Sequence, residues 1–139
     1  MEKKNNTKSL IAGLAVLLVS ICLTVGVKTL FHACGIHEDG QYGPCRWAEQ
    51  AVMAAGIMLS LQSLVLVLFR SPASKKAVSV CIGICAVITA LIPNVFIKLC
   101  AMPSMNCLSS MQPFTVICCV VIVILCLIHL LISRKETNN

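Results

Sequence analysis

A chain of 139 residues that is 58% apolar and only 12% charged is not a water-soluble domain, which would carry about 25% charged side chains. Its length leaves no room for a soluble domain beside several membrane spans. The formal charge of +6 does not point to nucleic acid, because the lysines and arginines flank apolar runs instead of forming a patch.

The first predicted element is a span of about 10–27, uncharged from Leu10 to Val27. A run of about 20 apolar residues is long enough to cross a hydrocarbon core of about 30 Å. The opening "MEKK" raises a signal peptide, and "LFHAC" offers a cleavage site at Cys34. Phe31 and His32 fit that site badly and Lys28 interrupts the approach, so a retained first helix is expected. Ser9 and Gly13 form a small-xxx-small pair where it begins. The connection from Lys28 to Arg46 carries His32, Cys34, His37 and Cys45.

The second span covers about 48–69, with Trp47 as an interfacial anchor at its outer end. Glu49 is expected in the first helical turn, where the dipole favours an acid. Ser60, Gln62 and Ser63 place polarity in the inner half of this span, a face that should point into the bundle. "RSPASKK" reads as a short basic turn leading to a third span of about 77–97, bent near its outer end by Pro93. A second long connection, Lys98 to Gln112, contains Cys100, Met102, Met105 and Cys107.

The fourth span covers about 113–132. His129 falls near its cytoplasmic end, where the imidazole can reach water; a structural role outranks a proton relay there. None of the spans shows apolar/polar alternation, so a barrel is disfavoured. The predicted fold is all-α: an integral membrane four-helix bundle, one domain over residues 1–139.

Basic residues set its orientation. With both termini in the cytoplasm, Lys3, Lys4, Lys8, Arg70, Lys75, Lys76, Arg134 and Lys135 lie inside, and Lys28, Arg46 and Lys98 lie outside. That asymmetry predicts an N-in, C-in, multi-pass protein of the plasma membrane. The halves also resemble each other. Each is a span, a loop with two cysteines, and a Gln five residues after the second cysteine, at Gln50 and Gln112. A two-fold internal repeat of helical hairpins would place its axis along the membrane normal.

Ten cysteines then fall into two groups. Cys22, Cys81, Cys85, Cys118, Cys119 and Cys126 lie in spans and are expected to pack as small apolar residues. Cys34, Cys45, Cys100 and Cys107 lie in the outer loops, where thiols pair. Four cysteines allow three connectivities, and spacing does not choose among them. A disulfide staple is the leading reading, since closing such a loop is worth about 3 kcal/mol.

Two chemical alternatives stay open. The layout is similar in topology to the quinone-coupled disulfide-bond enzymes, but the chain has no C-x-x-C. Met102, Met105, His32 and His37 are candidate ligands for copper or another soft metal. Met53, Met58 and Met111 fall on the same side.

"GPCRWAEQA", "LIPNVFIKLC" and "MNCLSSMQ" together resemble a family of small four-span bacterial membrane proteins, domain of unknown function 4418. The matching positions are Cys45, Trp47, Glu49, Leu91, Ile92, Pro93, Cys100, Met105 and Cys107, with Arg46 standing where the family pattern suggests histidine. The resemblance implies fold and topology and no activity. The expected role is a non-enzymatic accessory or interaction subunit in the lipid bilayer, partnered by a membrane protein such as a transporter. No catalytic residue, cofactor or nucleic acid is expected.

Overall fold

The computed structural model describes residues 2–30, 44–69, 71–93, 95–98 and 110–137. Four helices account for nearly all of them: α1 (Glu2–Thr29), α2 (Pro44–Leu68), α3 (Pro72–Leu91) and α4 (Gln112–Thr137). There is no β-strand among the described residues. All four helices are long and apolar enough to cross a membrane, over Thr7–Thr29, Arg46–Leu68, Ala73–Leu91 and Gln112–Arg134. In lipid this is the expected solution, since a helix satisfies its own backbone polar groups.

The helices form a closed antiparallel square. α1 packs on α2 and α4, and α3 packs on α4 and α2. Val16, Leu23, Leu59, Ile82 and Ile122 are fully buried along its axis. The outer surface is equally apolar: Leu18, Leu68, Ile84, Ile117 and Leu131 are all exposed. A helix that is apolar on every side suits a lipid environment. The exposed residues face hydrocarbon, so burial alone gains little here, and close packing must hold the bundle together.

Several boundaries depart from the sequence reading, for local reasons. α2 opens at Pro44, ahead of the expected start at 48, because a proline is preorganised for the first helical position and has no N–H to leave unbonded. Glu49 consequently sits in the second turn, not the first. α3 shifts in the same way. It begins at Pro72 after an extended Ser71 (φ −70°, ψ 128°), so most of the supposed basic turn is helical and Lys75 and Lys76 are on α3.

The other end of α3 lies at Leu91, well short of 97. Pro93 has no N–H to give the Thr89 carbonyl. Ile92 N–H donates to it instead, at 3.2 Å. The chain then widens: Phe96 N–H bonds Leu91 O at 3.2 Å and Ile97 N–H bonds Ile92 O at 3.1 Å. Pro93 therefore terminates the helix where the sequence suggested a bend.

The two hairpins do not pack alike. α1 and α2 approach closely at Gly56, where a Cβ would lie 2.5 Å from Thr24 Oγ1 and 3.5 Å from Thr24 Cα. In α3, a Cβ on Gly83 would meet nothing within 4 Å. Gly56→Ala should thus force α1 and α2 apart and cost about 1–3 kcal/mol, the usual range for overpacking, while Gly83→Ala should be neutral or better. Reversible unfolding of both variants in mixed micelles checks the contrast; equal effects would show that the α1–α2 approach is not limiting.

Candidate functional site

The hydrogen-bonded hydroxyls inside the bundle divide into two kinds. Most satisfy themselves within one helix. Ser20, Thr24, Ser60, Ser63, Thr89 and Thr115 each donate a hydroxyl hydrogen to the carbonyl four residues earlier, at 2.7–2.9 Å. This back-bonding neutralises a hydroxyl in an apolar medium without needing another helix.

The second kind is a node around His129. Its Nε2 lies 2.9 Å from Ser9 Oγ on α1, and its Nδ1 lies 2.8 Å from Ser79 Oγ on α3. All three side chains are buried, with His129 only 1% exposed. In a neutral imidazole one ring nitrogen donates its N–H to a serine oxygen and the other accepts a serine hydroxyl. Because α1 and α3 occupy opposite corners of the square, His129 on α4 ties the diagonal. Ser133, one turn further along α4, is buried as well. The expectation that His129 reaches water is corrected: neighbouring helices enclose the ring, and serines occupy both nitrogens.

A weaker polar contact joins α2 to α3. Gln62 Nε2 donates to Cys85 Sγ at 3.6 Å, while Gln62 Oε1 is buried without a hydrogen-bond partner among the described residues. Ser63 is fully buried beside it, so that the polar face of α2 does point inward.

The span cysteines are free thiols. Cys118, Cys119 and Cys126 are buried in the core, as expected of packing residues, and Cys85 is half-buried. Cys22 and Cys81 are exposed on the outer surface, so for these two the packing expectation is corrected. Met111, grouped with the soft-metal candidates by its position, is fully buried in the apolar core. Met58 is exposed on the helix surface.

The loop candidates stand apart. Cys34, Cys100, Cys107, His32, His37, Met102 and Met105 lie outside the described residues. Cys45 has its backbone in the first turn of α2, and its side chain is likewise outside the description. Trp47, in that same turn, is 66% exposed. Among the described residues no group of three or more His, Cys, Asp or Glu is placed to hold a metal ion.

Sequence reasoning singled out Ser9 only as a small residue and passed over Ser79. The signal that could have found both was depth: Ser9, Ser79 and His129 are polar residues near the same end of three different spans.

Four spanning helices around a hydrogen-bonded interior define a multi-pass membrane protein, with a bundle organised for packing. The chain belongs to the DUF4418 family, described as a domain of unknown function, whose model matches residues 16–132. That match includes Ser79 and His129 and begins after Ser9. No match was found among curated proteins or among solved structures.

Replacing His129 by Ala should lower stability by about 3 kcal/mol through the cavity and two lost bonds. Ser9→Ala and Ser79→Ala should each cost about 1 kcal/mol in the native background, and almost nothing once His129 is absent. A double-mutant cycle in mixed micelles measures this, and strict additivity would remove the node. At Gln62 the opposite sign is expected. Gln62→Met removes a buried oxygen without a partner and should leave stability unchanged or raise it by about 1 kcal/mol in the same assay.

Proposed function

We propose that this protein is a non-enzymatic accessory or interaction subunit of a membrane transport system. Both termini face the cytoplasm, and disulfides staple the outer loops at Cys34, Cys45, Cys100 and Cys107. The observation that carries the reading is the use made of interior polarity. Hydroxyls in the described core bond their own helices, and His129 is held by Ser9 and Ser79. Among the described residues such an interior offers a solute no continuous polar path, whereas ion and substrate pathways are built from intramembrane polar groups facing a cavity. What remains for function is the apolar flank, which meets lipid and other helices, and the loop end with its cysteines.

Orientation rests on charge. The end of the bundle formed by the α1 N-terminus, the α2–α3 turn and the α4 C-terminus carries Lys3, Lys4, Lys8, Arg70, Lys75, Lys76, Arg134 and Lys135, against Lys28, Arg46 and Lys98 at the other. Excess Lys and Arg in short loops favours the cytoplasmic side. The opposite end, with the four loop cysteines, then faces an oxidising compartment.

One experiment separates the competing classes. Membranes are alkylated with a maleimide, with and without prior reduction, and the intact chain is weighed. The expected result is that the four loop cysteines take up label only after reduction, and that a reporter fused after Asn139 is cytoplasmic. Labelling of the loop cysteines without reductant would overturn the staple, and an external reporter would overturn the orientation; label on the free span thiols, of which Cys22 and Cys81 are exposed, bears on neither. A cysteine pair whose oxidation follows the quinone pool would make the protein an oxidoreductase. Copper that copurifies and is lost in Met102→Leu/Met105→Leu would make it a metal-binding protein.

A further inference from the structure

Between α3 and α4 a groove opens on the outer face of the bundle, with a volume of about 350 Å³. Val80, Gly83 and Val87 line one side, and Val123, Leu127 and Leu130 line the other. Its floor is wide at Gly83, where an added Cβ would touch nothing within 4 Å. Ser79 lies at one end, its hydroxyl engaged by His129. From Ser79 to Ile88 the groove follows α3 for about 14 Å at a rise of 1.5 Å per residue.

Each wall is continued by a cation. Lys76 precedes Val80, Gly83 and Val87 by four, seven and eleven residues, and Arg134 follows Leu130, Leu127 and Val123 by the same intervals. These are the spacings of a single helix face. The antiparallel packing of α3 and α4 therefore places both cations in line with the groove at its Ser79 end. Arg134 is exposed and Lys76 half-exposed. Measured from these cations, the groove covers on the order of half of a hydrocarbon core of about 30 Å, the depth of one leaflet.

We propose that the α3–α4 groove binds an anionic phospholipid, with one acyl chain against Gly83 and the phosphate between Lys76 and Arg134. The cation pair favours this occupant over an uncharged helix, which would gain nothing from two positive charges aligned with an apolar slot. Basic pockets between spans are a recurring mode of anionic headgroup recognition. Flexible Lys and Arg stems also let the charges reach headgroup level while their methylenes stay apolar. The proposal is independent of the accessory role and of which side the basic end faces.

The full chain is reconstituted in bilayers of equal phosphatidylglycerol and phosphatidylcholine, released, and weighed by native mass spectrometry. Phosphatidylglycerol should be retained selectively. Lys76→Gln or Arg134→Gln alone should lower that retention about fivefold, and the pair about thirtyfold, as expected for independent surface cations. Gly83→Leu should abolish retention with both cations intact, and Val87→Trp, altering an exposed position, should do the same if Gly83→Leu disturbs folding. Melting curves followed by circular dichroism identify any variant that has lost the bundle. Equal retention of the two lipids, or full retention by either groove-filled variant that keeps the bundle, would overturn the site. So would a dimer of the wild type in pure phosphatidylcholine that Val87→Trp dissociates, because the groove would then be an interface between copies.

Discussion

The imidazole of His129, held between Ser9 Oγ and Ser79 Oγ at 2.9 and 2.8 Å, is the constraint around which the bundle is organised. Packing four apolar helices in lipid leaves many rotations and registers of similar energy, because hydrocarbon wets every face equally. A hydrogen-bonded ring is different. It is satisfied in one rotation of α4 about its axis and at one depth relative to α1 and α3. The node contributes modest energy and high selectivity, since a slipped register would leave polar atoms in an apolar interior.

The rest of the interior is compatible with that arrangement. Hydroxyls that bond their own helix, such as Ser20 to Val16 O and Thr115 to Met111 O, place no demand on neighbours and permit close approach. Gly56 against Thr24 sets the α1–α2 spacing. Gly26 leaves room on the α1–α4 side for the Phe114 ring, whose Cζ would lie 2.6 Å from an added Cβ. Two sides of the square are thus closed by glycine, while the α3–α4 side is left with the groove beside Gly83.

The number and type of elements were legible because uncharged runs in lipid have almost no alternative to helix. The ends of α2 and α3 were less so, for a common reason. Hydropathy counts side chains, whereas Pro44, Pro72 and Pro93 act through a fixed φ and a missing N–H. Pro93 is as apolar as the residues around it, yet it ends α3 at Leu91. His129 was visible as an embedded titratable residue, but its partners are 120 and 50 residues away. The groove was invisible for a similar reason, because its walls become a pair only once α3 and α4 are antiparallel. Family membership, by contrast, was readable from residues clustered near the loop end, including Cys45, Trp47 and Pro93.

The distance in sequence between Ser9 and His129 also orders events at the ribosome. At about 5–20 residues per second, the 120 residues separating them take on the order of 6–24 s to translate. During that interval the first helix waits in the translocon or the bilayer with a hydroxyl still lacking its eventual partner. Closure of the ring is accordingly reserved for the final span, so nascent chains missing it would expose an open seam that quality-control proteases can sense.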